Sequence, residues 1–451
     1  MASAAVAGPP PRKTALDRLL GLAADVRAGE AATALLLAAN VFLLLTAYYI
    51  IRPVREALIL AAPGGAEVKS YLGAILAASF LVIVPAYGAF ASRVDRIRLI
   101  NGLLVFFAAN LVLFFLLGRA GVTLGVPFFL WVGVFNLMSI AQVWSFANDV
   151  YTPEEGQRLF AIVGFGASVG ALLGSQLAGM LIRPLGIFPM MLVAAGLLMV
   201  CLVLTNVVHR REKRRARGAA ERRKADEPLA REGGFQLVLR QRYLLFIGLL
   251  TLVLNYVNTN GEYVLGKTVS RMAHEAVAAG AAGGLSEGQF IGAFYASFQF
   301  WQNLLGAFVQ FFLVSRILKY LGVRAALFVM PVISLCGYTL LMAAPVLAYI
   351  RVVKVLENAT DYSLQNTVRR ALFLRTSREA KYKALQAVET FFWRTGDMLS
   401  GLTVFVAALL GLGVGHLAAF NIGLVLVWLS LAAAIGREHR RLPAAPDEGA
   451  A

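Results

Sequence analysis

Acidic residues are scarce: 25 Asp and Glu face 42 Lys and Arg over 451 positions, and all charged residues together make up only 15% of the chain. A soluble domain is typically about 25% charged. Cysteine is almost absent. Cys201 and Cys336 each lie within an apolar run, which excludes a disulfide framework and a thiolate metal cluster. Histidine is equally sparse: His209, His274, His416 and His439 have no ligand spacing, so no metal or cofactor site is expected. No early apolar core marks a secretory leader, since the first thirty residues include Arg12, Lys13, Asp17, Arg18, Arg27 and Glu30.

What fills the chain instead is hydrocarbon: 59% of residues are hydrophobic and the mean hydropathy is +0.71. The apolar residues come in blocks near the roughly 20 residues needed to span a bilayer. Short alternating segments, the mark of a β-barrel, do not occur. The blocks predict an all-α integral membrane protein with twelve transmembrane helices. Their limits are 31–51, 70–91, 99–118, 125–147, 159–182 and 186–208, then 243–263, 289–314, 322–344, 346–368, 384–412 and 416–436.

Basic residues set the expected orientation. Arg93, Arg96 and Arg98, then Arg158, then Arg316, Lys319 and Arg324, then Arg369, Arg370, Arg375, Arg378, Lys381 and Lys383 fall in alternate loops. The loops after spans three, nine and eleven are nearly uncharged. Positive charge stays in the cytoplasm, so both termini are expected there, in a plasma membrane; the Ala-, Gly- and Arg-rich composition points to a bacterium. The net charge of +17 is thereby accounted for by topology, and no soluble module is present to bind nucleic acid.

The basic stretch HRREKRRARGAAERRKADEPLAREGGF, 209–235, divides the chain. The expected organisation is a cytoplasmic segment 1–30, a six-helix half 31–208, a linker 209–242, a second six-helix half 243–436 and a tail 437–451. The halves echo one another. SRVDR (92–96) and SRILK (315–319) are 223 residues apart, while TPEEGQRL (152–159) and TSREAKYK (376–383) are 224 apart. Parallel six-helix pseudo-repeats of this kind characterise the major facilitator architecture, whose solute site lies near the midplane between the halves. Thr152 and Pro153 form a helix start. Gly166, Gly170 and Gly174 then share one face of span five and predict close helix packing.

Polar residues within spans need partners or water and are functional candidates. The first group is Arg52, Arg55 and Glu56 in YYIIRPVREALIL (48–60), with Pro53 expected to bend or end the helix. They read either as headgroup contacts at the membrane edge or as a cationic lining for an anion. The second is Asn255, Asn258 and Glu262, followed by Lys267 and Arg271, with a possible break at Gly261; Gln299, Gln302, Asn303 and Gln310 form a stripe on span eight. The third is Arg351, Lys354, Asn358, Asp361 and Gln365 at helical spacing, with Glu357 at its edge, and Glu389, Arg394 and Asp397 on span eleven. Guanidinium suits phosphate and carboxylate, so an anionic metabolite is expected. Glu357, Asp361, Glu389 and Asp397 are expected as coupling or ion-pair residues.

Several stretches resemble the ATP/ADP translocases, the nucleotide transporter family of plastids and intracellular bacteria. They are YYIIRPVREALILAAPGGAEV, VWSFANDVYTPEEGQRLFAIVGFGASVG, NGEYVLGKTV and KYKALQAVETFFWRTGD, within about 40–412. The resemblance implies nucleotide exchange by alternating access. It places Arg55 where the family has a first-span Lys, Glu262 at its seventh-span Glu, and Lys383 in the block that carries a further Lys. The chain departs from the family at Arg55 and Glu56, which replace Lys and Asp, and at Val132 or Asn136, where the family has an acid. The expected solute-binding set is Arg52, Arg55, Glu56, Asn258, Glu262, Lys267, Arg351, Lys354, Lys383 and Arg394. A proton-coupled transporter of another metabolite or drug is the competing expectation, with Glu262, Glu389 or Asp397 carrying the proton. No nucleophile–base pair or nucleotide-hydrolysing loop suggests an enzyme. A monomer working on a small-molecule anion, most naturally a nucleotide, is expected.

Overall fold

The computed structural model describes residues 14–20, 25–91, 94–151, 153–215, 234–343, 346–373, 376 and 384–441. Among these the secondary structure is entirely helical. Twelve long helical segments follow one another: α1 (Ala31–Leu60), α2 (Gly65–Ala91), α3 (Arg96–Arg119), α4 (Gly125–Val150), α5 (Pro153–Leu185), α6 (Pro189–Arg215), α7 (Arg242–Ala278), α8 (Glu287–Phe308), α9 (Val329–Ala343), α10 (Leu347–Thr360), α11 (Trp393–Leu409) and α12 (Val414–Arg441). Three are extended by π-helical stretches: Val309–Leu313 after α8, Asp361–Gln365 after α10, and Val388–Phe392 before α11.

Among the described residues, seven helices have the length and hydropathy to cross a bilayer. α10 is only 14 residues long, and Arg351, Lys354 and Glu357 interrupt its apolar surface. The buried side chains form two cores. One draws on residues 26–208 together with Ala296. The other draws mainly on residues 238–435, joined by Ile59, Leu60, Ala66, Leu72 and Phe129.

The first helix is longer than hydropathy predicts. α1 runs past 51 to Leu60 with Pro53 inside it, so Pro53 does not end the helix. A proline within a helix removes one backbone hydrogen bond, and membrane helices tolerate this when neighbours surround them. Arg52, Arg55 and Glu56 are therefore intrahelical rather than at a helix end. Gly64, in the left-handed region at φ +67°, lets the chain turn from α1 into α2.

α1 and α5 are in backbone contact. A Cβ on Gly166, Gly170 or Gly174 would lie 2.4, 2.4 or 2.7 Å from the carbonyl oxygens of Ala38, Phe42 and Thr46. The close packing expected of this glycine row is what the structure contains. Pro153 opens α5 as expected, while Thr152 lies outside the described residues.

At the α1 start, the Asp17 carboxylate accepts from Thr14 Oγ1 (2.7 Å) and from the amides of Thr14, Gly29 and Ala31. These bonds, the Thr14 hydroxyl first, hold Asp17 well below the usual carboxylate range. Arg158 on α5 forks onto Glu30 at 3.0 and 3.1 Å.

Residues 31–215 and 234–441 meet toward the end of the bundle that carries the 61–64 turn. Ser270 Oγ donates to Leu60 O at 2.7 Å, and Gln289 Nε2 lies 3.4 Å from the carbonyls of Ile182 and Arg183. Asn303 Nδ2 reaches Ala171 O at 3.3 Å, and Gly401 packs on Ser70 and Ala74.

Candidate functional site

The charged residues of the spans do not form a single site. The largest group lies where α1, α2, α7, α8 and α10 converge. Glu56, 2% exposed, bridges Arg55 and Lys69, the latter at 2.6 Å. Arg55 also stacks its guanidinium over the Phe129 ring at 4.9 Å, and Lys69 lies over Tyr295 at 5.4 Å. Beside them, Lys354 Nζ pairs with Glu357 at 3.1 Å and Glu262 at 3.6 Å, and donates to Asn258 Oδ1 at 2.7 Å. Asn358 Nδ2 donates to Glu262 Oε1 at 3.0 Å and to Gln302 Oε1 at 3.2 Å.

Electrostatics join these parts. The charges of Lys354, Lys69 and Arg52 all act on Glu262. Tyr295, whose hydroxyl has no hydrogen-bond partner, feels Glu56, Glu262, Arg55 and Arg52 together. Arg52 also lies against the Tyr49 ring, at 5.9 Å.

Gly261 makes room for this group. A Cβ there would stand 2.3 Å from Tyr338 Oη and 3.0 Å from Lys354 Nζ. α7 is unbroken at that glycine, so its role is clearance rather than a helix break.

Three cations (Arg55, Lys69, Lys354) thus pair with three carboxylates (Glu56, Glu262, Glu357), and Arg52 stands beside them against Tyr49. Lys354 and Glu357 are buried, whereas Glu262 keeps 27% and Arg55 16% exposure. The accessible edge of the group therefore carries Arg55, Lys69 and Glu262, and the buried acids Glu56 and Glu357 lie behind it. Guanidinium and ammonium donors form charge-assisted hydrogen bonds with oxyanions.

Lys69 was not among the residues singled out from the sequence. It falls one position before the apolar run of span two, in AEVKSY, where it reads as a loop residue. A lone lysine on the side expected to be poor in positive charge is the signal that could have found it.

The remaining residues are elsewhere. Lys267 does not join Asn258 and Glu262. It pairs with Glu67 at 2.5 Å beside the 61–64 turn, where Tyr263 Oη also donates to Glu67 at 2.9 Å. Five residues beyond Glu262, helical pitch carries it out of the polar face. Together with Gly64, Gly65 and Arg271 it lines a cavity of about 470 Å³.

Arg394 pairs with Asp397 at 3.4 Å and stacks over Phe80 at 4.9 Å. Asp397 Oδ1 also accepts from Asn255 (2.8 Å) and Thr259 (2.9 Å). Arg351 donates to Ser297 at 2.7 Å. Glu389 is exposed and Asp361 is buried. Lys383 lies outside the described residues.

Comparisons with known proteins agree with this architecture. The chain is 23% identical over 356 residues to ADP,ATP carrier protein 1 of Chlamydia trachomatis serovar D, covering 69% of this chain and 65% of that one, just under two thirds of its length. The Chlamydia muridarum protein of the same name is also 23% identical over 356 residues, with 64% of its length covered. Among solved structures, the nucleoside transporter NupG superposes with a TM-score of 0.63 at 11% identity, covering 91% of this chain and all of that one. A bacterial homologue of the human lysosomal transporter Spinster, in an inward-facing and unoccupied conformation, superposes with a TM-score of 0.59 at 13% identity, over 92% and 98% of the two chains. At such identities these superpositions establish the fold. The model of the Major Facilitator Superfamily matches residues 37–373, and the chain, a multi-pass membrane transporter with distant sequence similarity to ADP,ATP carriers, belongs to that superfamily.

Proposed function

We propose that this transporter moves an organic anion, a nucleotide of the ATP/ADP type before others, by exchange across the membrane. The observation that carries the reading is the buried Glu56 held between Arg55 and Lys69, the two partly exposed cations of the cluster. An internal carboxylate occupies the cations while the site is empty. A phosphate group competes for the same two cations, and its release returns them to Glu56. Arg52 adds a third cation, and Glu262 is the acid that must yield when the solute docks. The similarity to ADP,ATP carriers supports phosphate as the group recognised.

In this reading the chain crosses the membrane twelve times, with both termini cytoplasmic and halves at 31–208 and 243–436. The solute sits between the halves, and a single copy suffices.

The test is uptake of labelled ADP into proteoliposomes loaded with ATP, with sugar phosphates and dicarboxylates as competitors. Wild type is expected to exchange nucleotide, and Arg55→Ala to lose that exchange while inserting normally. Transport of another anion with no response to nucleotides would overturn the substrate; exchange unchanged in Arg55→Ala would overturn the site.

A further inference from the structure

The π-helical extension of α10, Asp361–Gln365, and the helical segment Asn366–Leu372 that follows it carry a second polar row that the cluster above does not use. Asp361, Gln365 and Arg369 follow Glu357 at intervals of four residues, about one helical turn each. They are 5%, 0% and 8% exposed. Among the described residues, Asp361 Oδ1, both amide atoms of Gln365, and Nε and Nη1 of Arg369 have no hydrogen-bond partner. Arg369 instead lies over the Trp393 ring at 4.6 Å. Buried polar groups are normally satisfied, and an intramembrane row without partners is expensive.

The backbone is unusual at the same place. Asp361–Gln365 is π-helical and packs against the π-helical stretch Val309–Leu313. Such bulges recur at functional sites.

We propose that Asp361 is a proton-binding site whose occupancy is coupled to solute movement, with Gln365 and Arg369 lining a hydrated path to it. The other intramembrane carboxylates singled out above are engaged or exposed. Glu56 has two cations, and Glu262 has Lys354 and Asn358. Glu357 has Lys354, Asp397 has Arg394, Asn255 and Thr259, and Glu389 is exposed. Asp361 alone among them is buried with neither a hydrogen bond nor an ion pair.

The charges that act on Asp361 are Arg369, Lys354 and Glu357, all on its own helix. The α8 segment packed against it, Glu287 through Leu313, has one charged residue, Glu287, at its far end. Lys354 is already neutralised by Glu357 and Glu262, which leaves Arg369 to oppose protonation. The event is a bare association: a solvent proton joins the carboxylate, and the neutral acid then donates to Gln365 Oε1 or to a water. Carrying that proton offsets part of the charge of a co-transported anion.

The coupling half of the proposal rests on the transport reading, so two measurements separate them. The first needs no solute. Infrared difference spectra of the purified protein across a pH titration should contain a protonated-carboxyl C=O band that is lost in Asp361→Asn and returns in Asp361→Glu. The same band retained in full by Asp361→Asn overturns the proton site. The second uses proteoliposomes and whichever anion the competition panel identifies. Accumulation driven by an imposed pH gradient should be lost in Asp361→Asn while solute–solute exchange continues. Equal loss of both overturns coupling. Absence of any transported anion alongside the infrared band would reject the transport reading and keep the proton site.

Discussion

Gly170 is the most direct test of the packing argument, because a single methyl group must enter a backbone contact. A Cβ at 170 would lie 2.4 Å from Phe42 O, 3.0 Å from its Cα and 3.1 Å from its carbonyl carbon, where ordinary contact begins at 3.4 Å. The blocking atoms belong to main chain and cannot rotate away, so α1 and α5 must separate by about 1 Å locally. Overpacking of this kind costs about 1–3 kcal/mol. Replacing Gly by Ala in a helix returns up to about 1 kcal/mol of propensity. Gly164 supplies the control: it lies on the same helix, and a Cβ there meets nothing within 4 Å. Gly164→Ala keeps the propensity gain without the clash. Comparing Gly170→Ala with Gly164→Ala cancels propensity and isolates the contact, leaving Gly170→Ala less stable by about 1–3 kcal/mol. Thermal unfolding in detergent can be followed by thiol labelling of Cys201, which is buried and lies 3.7 Å from Asn40 O on α1. The exposed Cys336 is first changed to Ser. Equal stability of the two alanine variants would refute the backbone contact and the placement of α1 that depends on it.

Two further outcomes follow from named contacts. Lys354→Met alone leaves the buried Glu357 without its cation and should cost about 3–5 kcal/mol, while Lys354→Met with Glu357→Gln should recover most of that loss; a double variant as unstable as the single one, measured by the same thiol assay, contradicts the pair. Asp17→Asn removes the carboxylate that caps Gly29 and Ala31. Because folding depresses the Asp17 pKa, its stabilisation is complete above the ordinary carboxylate range and is lost as pH falls below that range through the depressed folded value. Amide hydrogen exchange at 25–33 should therefore be faster in Asp17→Asn at neutral pH, with the gap closing on acidification. A gap that widens in acid would reverse the sign and reject the assignment.

The fold class could be read from the sequence because bilayer burial acts residue by residue. A run of apolar side chains long enough to span hydrocarbon needs no knowledge of its neighbours. The glycine row of α5 was legible for the same reason, since three small residues on one face allow close approach whichever helix arrives. Helix limits failed where charge entered. Hydropathy stops α1 at 51, yet the helix continues to Leu60 because Glu56 sits between Arg55 and Lys69, and Lys69 belongs to the next helix. Nothing local at 56 announces a partner thirteen positions away.

The same distinction divides α10. Its polar spacing is plain in RVVKVLENATDYSLQNTVRR, but spacing cannot say which members are satisfied. Lys354, Glu357 and Asn358 meet α7 and α8 and become an ion-pair cluster, whereas Asp361 and Gln365 meet a π-helical stretch without hydrogen bonds among the described residues and Arg369 lies over an indole. Partnering depends on what stands opposite, which is tertiary information. A functional assignment based on residue type alone therefore grouped Lys267 with Glu262, and the geometry separates them. It also left Asp361 among several interchangeable acids, when its isolation is the property that suits it to hold a proton. The cluster and the row are continuous in the chain through Glu357 and Asp361, so under the proposed mechanism a rearrangement of Lys354 as Glu262 yields would also change the surroundings of Asp361. That mechanical link is why loss of gradient-driven accumulation with exchange intact, rather than loss of transport as such, is the decisive phenotype for Asp361→Asn.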